Sequence, residues 1–316
     1  MNNKAYNRVE FVDIAKGIGI ILVVYGHSSL SFHTANVWLH AFHMPLFFFI
    51  TGMCYNENKY TLKDLFLKRW IQIIMPCIYF TILISSIEIS LGFRQLSSLM
   101  INLPHALWFL PILFLSQIIV ASVWKFSQNK IIRSLFIILS LCCWYLCSLY
   151  KPLPYSLHAI PASVFFCAIG NIIGLNINKN NEKIKALLCF ATLCILVYIV
   201  KCRLNLYVNI LVHPLAAVIA AIIGIYFIIF ISIAFDNKDS LTKQILIWLG
   251  KNTLIIMSLH QFIMYMCRFT IKPFFITNDG LLTNLTYRIL EIIITCSLLI
   301  CLIPFINKRM KFLIGK

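Results

Sequence analysis

Ionisable side chains interrupt the first apolar segment of this sequence at spacings that suit the transfer of protons or charge. Asp13, Lys16 and His27 lie in a run that is otherwise almost entirely apolar. On an α-helix, Lys16 and His27 share one face about 16 Å apart along the axis, and Asp13 falls near the same stripe. Such groups are costly in hydrocarbon, so they usually face a protein interior or a water-filled cavity and indicate a functional site.

Two later apolar segments also carry histidines. His40 and His43 are one helical turn apart at the start of the second segment, where Pro45 removes a backbone donor and is expected to bend the helix. If the first two segments cross a membrane in opposite directions, His27, His40 and His43 meet at a similar depth. His260 lies near the middle of a late segment. Three imidazoles can bind Zn²⁺, but nothing in this spacing requires a metal, and we expect none.

The composition indicates what kind of protein carries these residues. Of 316 residues, 61% are hydrophobic and only 12% are charged, and the mean hydropathy is +0.89. A soluble domain is about half apolar and about a quarter charged. Since a spanning helix needs about 20 mostly apolar residues, the sequence predicts an all-α polytopic membrane bundle, with a single domain over residues 1–316. About ten candidate spans occur, at residues 11–30, 38–55, 70–91, 107–124, 132–149, 158–177, 185–201, 210–235, 245–267 and 285–306.

The net charge of +17 follows from the loops between these spans. With the N-terminus in the cytoplasm, 20 of the 27 lysine and arginine residues fall on the cytoplasmic side. Cytoplasmic loops of membrane proteins carry such an excess, so the charge predicts both termini inside and requires no nucleic-acid partner. The inner set is Lys4, Arg8, Lys16, Lys59, Lys63, Lys68, Arg69, Lys125, Lys130, Arg133, Lys179, Lys183, Lys185, Lys238, Lys243, Lys251, Lys308, Arg309, Lys311 and Lys316.

Other polar residues are assigned to packing or to the surface. The 12 cysteines are scattered, with no C-x-x-C pair, and free Cys behaves as a small buried hydrophobe. Glu88 and Glu291 are deep acids for which the sequence indicates no partner. The histidines near loops are expected at the surface; these are His33, His105, His158 and His213.

Four stretches carry a family resemblance. They are Asp13-x-x-Lys16-Gly17 to Gly26-His27, Phe42-His43-Met-Pro-Leu-Phe-Phe-Phe-Ile-Thr-Gly52, Leu107-Trp-Phe-Leu-Pro-Ile-Leu-Phe114, and Gly250-Lys-Asn-Thr-Leu254 with His260. In these stretches the chain resembles the membrane acyltransferase 3 family, most closely its fucose O-acetylase-like branch. The stretches extend from the first predicted span to the ninth, so the resemblance covers nearly the whole chain.

The resemblance implies transfer of an acyl group, usually acetyl, from cytoplasmic acyl-CoA to a hydroxyl on a sugar. His27 would then take the hydroxyl proton, and an acyl-histidine intermediate is the open alternative. His43 would orient His27 or contact the acceptor. Lys16 and Arg69 would hold the phosphates of the coenzyme. Asp13, Asn252 and His260 are further candidate site residues.

The chain departs from the family pattern at the two donor contacts. Many members have an arginine where Lys16 stands, and an R-x-x-R pair where this chain has Arg69 and Gln72. A lysine offers a point charge rather than the fork of a guanidinium.

The sequence therefore predicts an O-acetyltransferase of the cell (inner) membrane, with acetyl-CoA as donor and a glycan or lipid-linked sugar as acceptor. The alternative is a transporter or flippase for a polysaccharide precursor, since buried Asp, Lys and His also build proton relays. The absence of an inverted repeat or of paired broken helices argues against transport. A scaffold subunit of a polysaccharide-export complex is a third hypothesis. Binding of acyl-CoA distinguishes the enzyme from the transporter.

Overall fold

The computed structural model describes residues 9–237, 239–275 and 281–315, and these are mostly helical, as predicted. The helices are α1 (Glu10–His27), α2 (His33–His40), α3 (His43–Met53), α4 (Leu62–Arg69), α5 (Met75–Ser90), α6 (Phe109–Phe126), α7 (Lys130–Ser148), α8 (Ile160–Ile173), α9 (Glu182–Cys194), α10 (Pro214–Asp236), α11 (Leu241–Lys251), α12 (Thr253–Thr270), α13 (Lys272–Phe275) and α14 (Leu281–Arg309). The π-helical segment Trp70–Ile74 joins α4 to α5, and a second, Ile195–Ile199, extends α9. Short 3-10 segments are Leu96–Met100, His105–Trp108, Pro154–Ala159 and Lys311–Ile314. Of the predicted inner charges, Lys4, Arg8, Lys238 and Lys316 lie outside the described residues.

Within the described residues, seven helical stretches are long and apolar enough to cross a membrane. They are Leu62–Ser90, Leu96–Phe126, Lys130–Ser148, Pro154–Ile173, Pro214–Asp236, Thr253–Phe274 and Leu285–Arg309. The first predicted span forms α1 but is not one of the seven, because its 18 residues include Glu10, Asp13 and Lys16. The chain is thus a multi-pass membrane protein, while the count of ten spans and the side of the termini stay predictions.

The second predicted span, residues 38–55, is divided between two short helices. α2 ends at His40, and α3 begins at His43 after a turn. Pro45 lies in the first turn of α3, where a backbone N–H would have no intrahelical acceptor, so the proline costs the helix nothing there. The bend that we predicted beside His43 is therefore a break between helices, and it turns the rings of His40 and His43 towards each other.

The ninth predicted span, residues 245–267, is also divided, at Asn252 between α11 and α12. The Asn252 Nδ2 donates to the carbonyl oxygen of Trp248 at 2.8 Å, and its Oδ1 accepts from Asn307 Nδ2 at 2.8 Å. Both ends of the amide are therefore satisfied within the break, which ties α11 to α14. Two of the predicted spans are thus broken, so the predicted absence of broken helices is wrong and does not argue against transport.

Glycines bring α1 and α11 into backbone contact. A Cβ on Gly17 would lie 2.1 Å from the carbonyl oxygen of Leu246, and one on Gly250 would lie 1.9 Å from the carbonyl oxygen of Asp13. Small residues at helix contacts let two backbones approach closely. The contact fixes the helix that carries both Lys16 and His27, and α3 meets α8 through glycines in the same way.

A two-stranded antiparallel hairpin, β1 (Arg203–Asn205) and β2 (Ile210–Val212), is an addition to the predicted all-α fold. His158 supports the loop of this hairpin. Its Nδ1 accepts from the backbone N–H of Leu153 at 3.1 Å, and its Nε2 donates to the carbonyl oxygen of Leu206 at 2.9 Å. The predicted surface position of His158 is wrong, since the residue is 2% exposed: the segment before α8 folds under the hairpin.

Candidate active site

A cavity of about 660 Å³ lies beside the C-terminal end of α1. We call it the histidine cavity because His27, His40, His43 and His105 line it. Ligand sites are typically clefts of about 300–1,000 Å³ with a few polar groups in mostly apolar walls. The other lining residues are Val23, Met44, Glu88, Phe93, Arg94, Gln95, Ser98, Ile101, Asn102, Leu103, Ala106, Trp108, Asn205, Leu206, Tyr207, Met257, Gln261 and Tyr265.

Two imidazoles of this cavity are held by carbonyl groups four residues earlier in the chain. The His40 Nδ1 donates to the carbonyl oxygen of Asn36 at 2.6 Å, and the His43 Nδ1 donates to that of Leu39 at 2.7 Å. Because a carbonyl oxygen only accepts, each neutral ring keeps Nε2 as an acceptor. The two rings are 4.9 Å apart, edge to face.

His260 packs behind His27, with ring centroids 5.4 Å apart. The residue is fully buried, and its Nδ1 donates to the carbonyl oxygen of Ile256 at 2.8 Å. Among the described residues, its Nε2 has no hydrogen-bond partner. Buried polar atoms nearly always have one, so this Nε2 is an acceptor ready for the N–H of the His27 ring.

The end of α1 is fastened by an ion pair that the sequence did not reveal. The Arg268 Nε donates to Glu291 Oε1 at 2.7 Å, and the backbone N–H of Ser29 donates to Glu291 Oε2 at 2.7 Å. Arg268 also donates to the carbonyl oxygen of His27. Glu291, which had no predicted partner, therefore joins α12 and α14 to the residues on which the position of His27 depends.

Glu88, the other deep acid, also has partners. Its Oε1 accepts from His105 Nε2 at 2.6 Å, and its Oε2 accepts from Arg94 Nε at 2.7 Å. The predicted surface position of His105 is wrong, since its side chain is only 10% exposed and lines the histidine cavity. Because a carboxylate only accepts, the His105 proton is on Nε2, and its Nδ1 is left as an acceptor.

A second cavity, of about 1040 Å³, lies at the other end of α1, and we call it the lysine cavity. Its charged lining residues are Asp13, Lys16, Glu57, Lys59, Lys130 and Arg133. Lys16 Nζ lies 3.6 Å from Asp13 Oδ1, and Arg133 forms an ion pair with Glu57 at 2.7 Å. Cations outnumber acids four to two among the lining residues that the structure describes. Two helices, α1 and α7, begin at the cavity, and the positive ends of their dipoles add to its attraction for anions.

Among the described residues, none lines both cavities. Between them, α1 and α3 are tightly packed: a Cβ on Gly19 would lie 2.9 Å from Leu46 Cδ2 and 3.1 Å from Phe47 Cζ. Ile20 and Phe47 are buried at this level. The cationic site and the imidazole site are thus on one helix, with buried apolar side chains between them.

A family model for an acyltransferase domain matches residues 9–306. The chain belongs to the acyltransferase 3 family. No curated protein and no solved structure matches it. The chain is therefore a multi-pass membrane acyltransferase, and its two cavities are to be interpreted in terms of acyl transfer.

In this acyltransferase 3 protein, Arg69 is not on the wall of the lysine cavity. Its Nη1 donates to Gln72 Oε1 at 3.2 Å, and its buried Nε has no hydrogen-bond partner among the described residues. Cys54, which lines the lysine cavity, is one of its electrostatic neighbours. Arg69 therefore lies behind that wall.

Asn252 is apart from both cavities. It lines a smaller one of about 180 Å³ with Gln72, Lys251 and Asn307. Its hydrogen bonds explain its place at the break between α11 and α12, so the structure gives it no link to His27 or Lys16.

Sequence reasoning missed Glu88, Arg94, His105 and Arg268 as residues of the site. A buried acid in an apolar helix was a signal for an unseen basic partner, and Glu88 and Glu291 both gave it. His33 and His213, by contrast, are exposed as predicted. In the part of the chain that the structure describes, no three His, Cys, Asp or Glu side chains are grouped to hold a metal ion, and the absence of a metal from the reaction stays a prediction.

Proposed function

We propose that this acyltransferase transfers an acetyl group from cytoplasmic acetyl-CoA to a sugar hydroxyl of a surface polysaccharide or its lipid-linked precursor. It would act in the cell (inner) membrane with about ten crossings and both termini in the cytoplasm. The observation that carries the proposal is the position of His27, which faces a ligand-sized cavity at one end of a helix whose other end borders a cationic cavity.

His27 acts as the general base. Its ring lines the histidine cavity and packs at 5.4 Å on His260, whose Nε2 has no partner among the described residues and is available to accept an N–H. A hydrogen bond from one His27 nitrogen to His260 leaves the other nitrogen as an acceptor towards the cavity, because the partner of one ring nitrogen fixes the role of the other. Such an orienting hydrogen bond is the usual support for a catalytic imidazole.

The reaction then balances within the site. The acceptor hydroxyl gives its proton to His27 as its oxygen attacks the thioester carbonyl carbon. The tetrahedral intermediate collapses with cleavage of the carbon–sulfur bond, and the proton on His27 passes to the leaving thiolate. The products are an O-acetyl ester and the free thiol of coenzyme A. In the variant with an acyl-histidine intermediate, His27 attacks the thioester first and the hydroxyl attacks the acyl-imidazole second.

The lysine cavity binds the phosphates of the donor. The excess of cations in its lining supports this role, as do the two helix N-termini beside it. Lys16 contacts the phosphates of the donor. It lies about 16 Å from His27 along the same helix, so one helix fixes the distance between the phosphate site and the general base. Arg69, which is not among the described lining residues of this cavity, adds its positive charge from behind the wall rather than by contact with the phosphates.

The acyl arm reaches His27 by displacing the side chains of Leu46 and Phe47. These side chains close the apolar layer between the cavities, where α1 has Gly19 and so offers no side chain of its own. The donor thus enters from the cationic side, while the acceptor occupies the histidine cavity.

The test uses the full chain in lipid nanodiscs with radiolabelled acetyl-CoA. The acceptors are methyl glycosides and polysaccharide prepared from cells that lack the gene. We expect acetyl transfer by the native protein, a loss of at least about 10³-fold in kcat for His27→Ala, and unchanged affinity for acetyl-CoA. His33→Ala is the matched control, because this histidine is exposed at the start of α2.

Near-normal transfer by His27→Ala would rule out the assigned base. A protein that binds no acetyl-CoA, yet moves a lipid-linked sugar across vesicles without a donor, would instead be a transporter. Trapping a labelled acyl group on His27 in the absence of acceptor distinguishes the two-step route from direct transfer.

A further inference from the structure

The polar groups of the histidine cavity that face away from the base form a connected set. Glu88 is buried, and each of its carboxylate oxygens has a single basic partner, His105 or Arg94. The side chains of these residues are 3%, 10% and 18% exposed. A buried ion pair rarely stabilises a fold more than apolar residues of similar volume would. Stability alone therefore does not explain why this pair lies on the wall of a cavity.

The backbone at His105 supports a functional role. Its φ of 51° lies in the left-handed region, which costs a residue with a side chain about 1 kcal/mol or more. His105 is the first residue of the 3-10 segment His105–Trp108, and the bond to Glu88 holds its ring. The result is an imidazole on the wall of the cavity that His27 also lines, with its Nδ1 left as an acceptor.

The charged residues on the wall of the histidine cavity limit which ligands can enter it. Among the described residues that line it, only Glu88 and Arg94 carry a full charge, and they neutralise each other at 2.7 Å. The remaining polar groups are amides, hydroxyls and imidazoles. A carboxylate or phosphate entering this space would lose its hydration and find no uncompensated cation, which is a severe penalty.

Aromatic rings complete the fit to a sugar. Trp108 and Tyr207 line the cavity with their ring centroids 5.6 Å apart, and Tyr265 packs against the His105 ring at 5.7 Å. Ring faces carry negative potential and attract the slightly positive C–H groups on the face of a pyranose. Hydroxyl groups at the rim of the same sugar then meet His27, His105 and the neighbouring amides.

We propose that Glu88, Arg94 and His105 form an acceptor-positioning subsite that selects an uncharged sugar unit over an anionic one. This inference rests on the proposed glycan acyltransferase function. His105 Nδ1 receives a hydroxyl next to the one that is acylated, Glu88 holds that imidazole in place, and Arg94 cancels the charge of Glu88.

The experiment compares methyl glucoside with methyl glucuronoside, and methyl galactoside with methyl galacturonoside, as acceptors for the full chain in nanodiscs. We expect native kcat/KM to favour the neutral member of each pair by at least about tenfold. His105→Gln should raise the acceptor KM about tenfold, the effect of one hydrogen bond, with unchanged affinity for acetyl-CoA. His33→Gln is the control on an exposed histidine.

Two further variants change the charge on the wall of the histidine cavity. Glu88→Gln leaves Arg94 uncompensated, so the ratio of neutral to anionic kcat/KM should fall about tenfold or more. Glu88→Gln/Arg94→Gln is neutral again and should return the ratio to near the native value, although its acceptor KM stays raised. A merely structural role would lower all activities together and leave the ratio unchanged. An unchanged ratio in Glu88→Gln, or a native preference for the uronosides, would overturn the proposal.

Saturation-transfer NMR of the same glycosides without donor separates this inference from the proposed function. If the native protein transfers no acetyl group but binds neutral glycosides with a charge preference that Glu88→Gln removes, the reaction assignment fails and the subsite stands. If transfer proceeds with no such preference, the subsite fails and the reaction assignment stands.

Discussion

Substitution of Glu291 by Gln isolates the contacts that fasten the end of α1. The change keeps the shape of the side chain and removes its charge. In the native protein, Glu291 accepts two hydrogen bonds at 2.7 Å, from Arg268 Nε and from the backbone N–H of Ser29. An amide oxygen can still accept the bond from Ser29, whereas the bond and the charge pairing with Arg268 are lost.

The size of the effect follows from these contacts. A hydrogen bond between charged groups contributes about 1.5–3 kcal/mol, and removing one member of a buried pair costs about 3–5 kcal/mol. The Arg268 side chain is 40% exposed, so water compensates part of its loss, and about 2 kcal/mol is the expected net cost. If that energy holds His27 in its reactive position, kcat falls about thirtyfold, at 1.36 kcal/mol for each factor of ten.

The assay measures kcat for acetyl transfer and, separately, the equilibrium affinity for acetyl-CoA. The affinity should be unchanged, because the lysine cavity lies about 16 Å away along α1. Glu182→Gln, on α9 and in the lining of neither cavity, is the matched control. The reasoning is refuted if Glu291→Gln keeps kcat within twofold of the native value, or if donor affinity falls in parallel with kcat.

Two further predictions concern the other end of α1. Lys16→Gln should weaken acetyl-CoA binding about tenfold or more, because a charge-assisted contact to a phosphate is lost. Lys16→Arg should retain the affinity, the exposed Lys63→Gln serves as control, and equal donor affinity in all four proteins would contradict the role of Lys16. Gly250→Ala should lower the melting temperature in detergent, since its Cβ would lie 1.9 Å from the Asp13 carbonyl oxygen and overpacking costs about 1–3 kcal/mol. Gly26→Ala, with only ordinary contacts at 3.7 Å, should leave the melting temperature unchanged or raise it, and equal losses in the two variants would argue against close packing of α1 on α11.

Much of the fold was predictable because it depends on local composition. The long apolar runs that became α7, α10 and α14 satisfy their backbone groups within one helix, which hydrocarbon requires whatever their neighbours are. The breaks in the second and ninth predicted spans were not predictable from hydropathy. Both broken stretches are apolar, and the turns are stabilised by partners elsewhere, as Asn307 stabilises the break at Asn252.

The candidate site likewise has features that the sequence predicts and features that depend on tertiary contacts. The relation of Lys16 to His27 is fixed by the geometry of one helix and needed no tertiary information. Burial of His105 was missed because its position near a loop suggested exposure, whereas the loop folds back into the bundle and meets Glu88, 17 residues earlier. Glu291 and Ser29, which form a hydrogen bond, are 262 residues apart in the chain. Periodicity within a helix does not predict which residues pair across such a separation.

By itself, the sequence determined that one largely apolar helix carries an amine near one end and an imidazole at the other, because helix periodicity is a local property. Only the tertiary structure decided which buried groups pair and that two separate cavities border this helix. It also decided that the charges of Glu88 and Arg94 cancel on the wall of the histidine cavity. Those features arise from contacts between helices, whose energies depend on distances that no single segment sets.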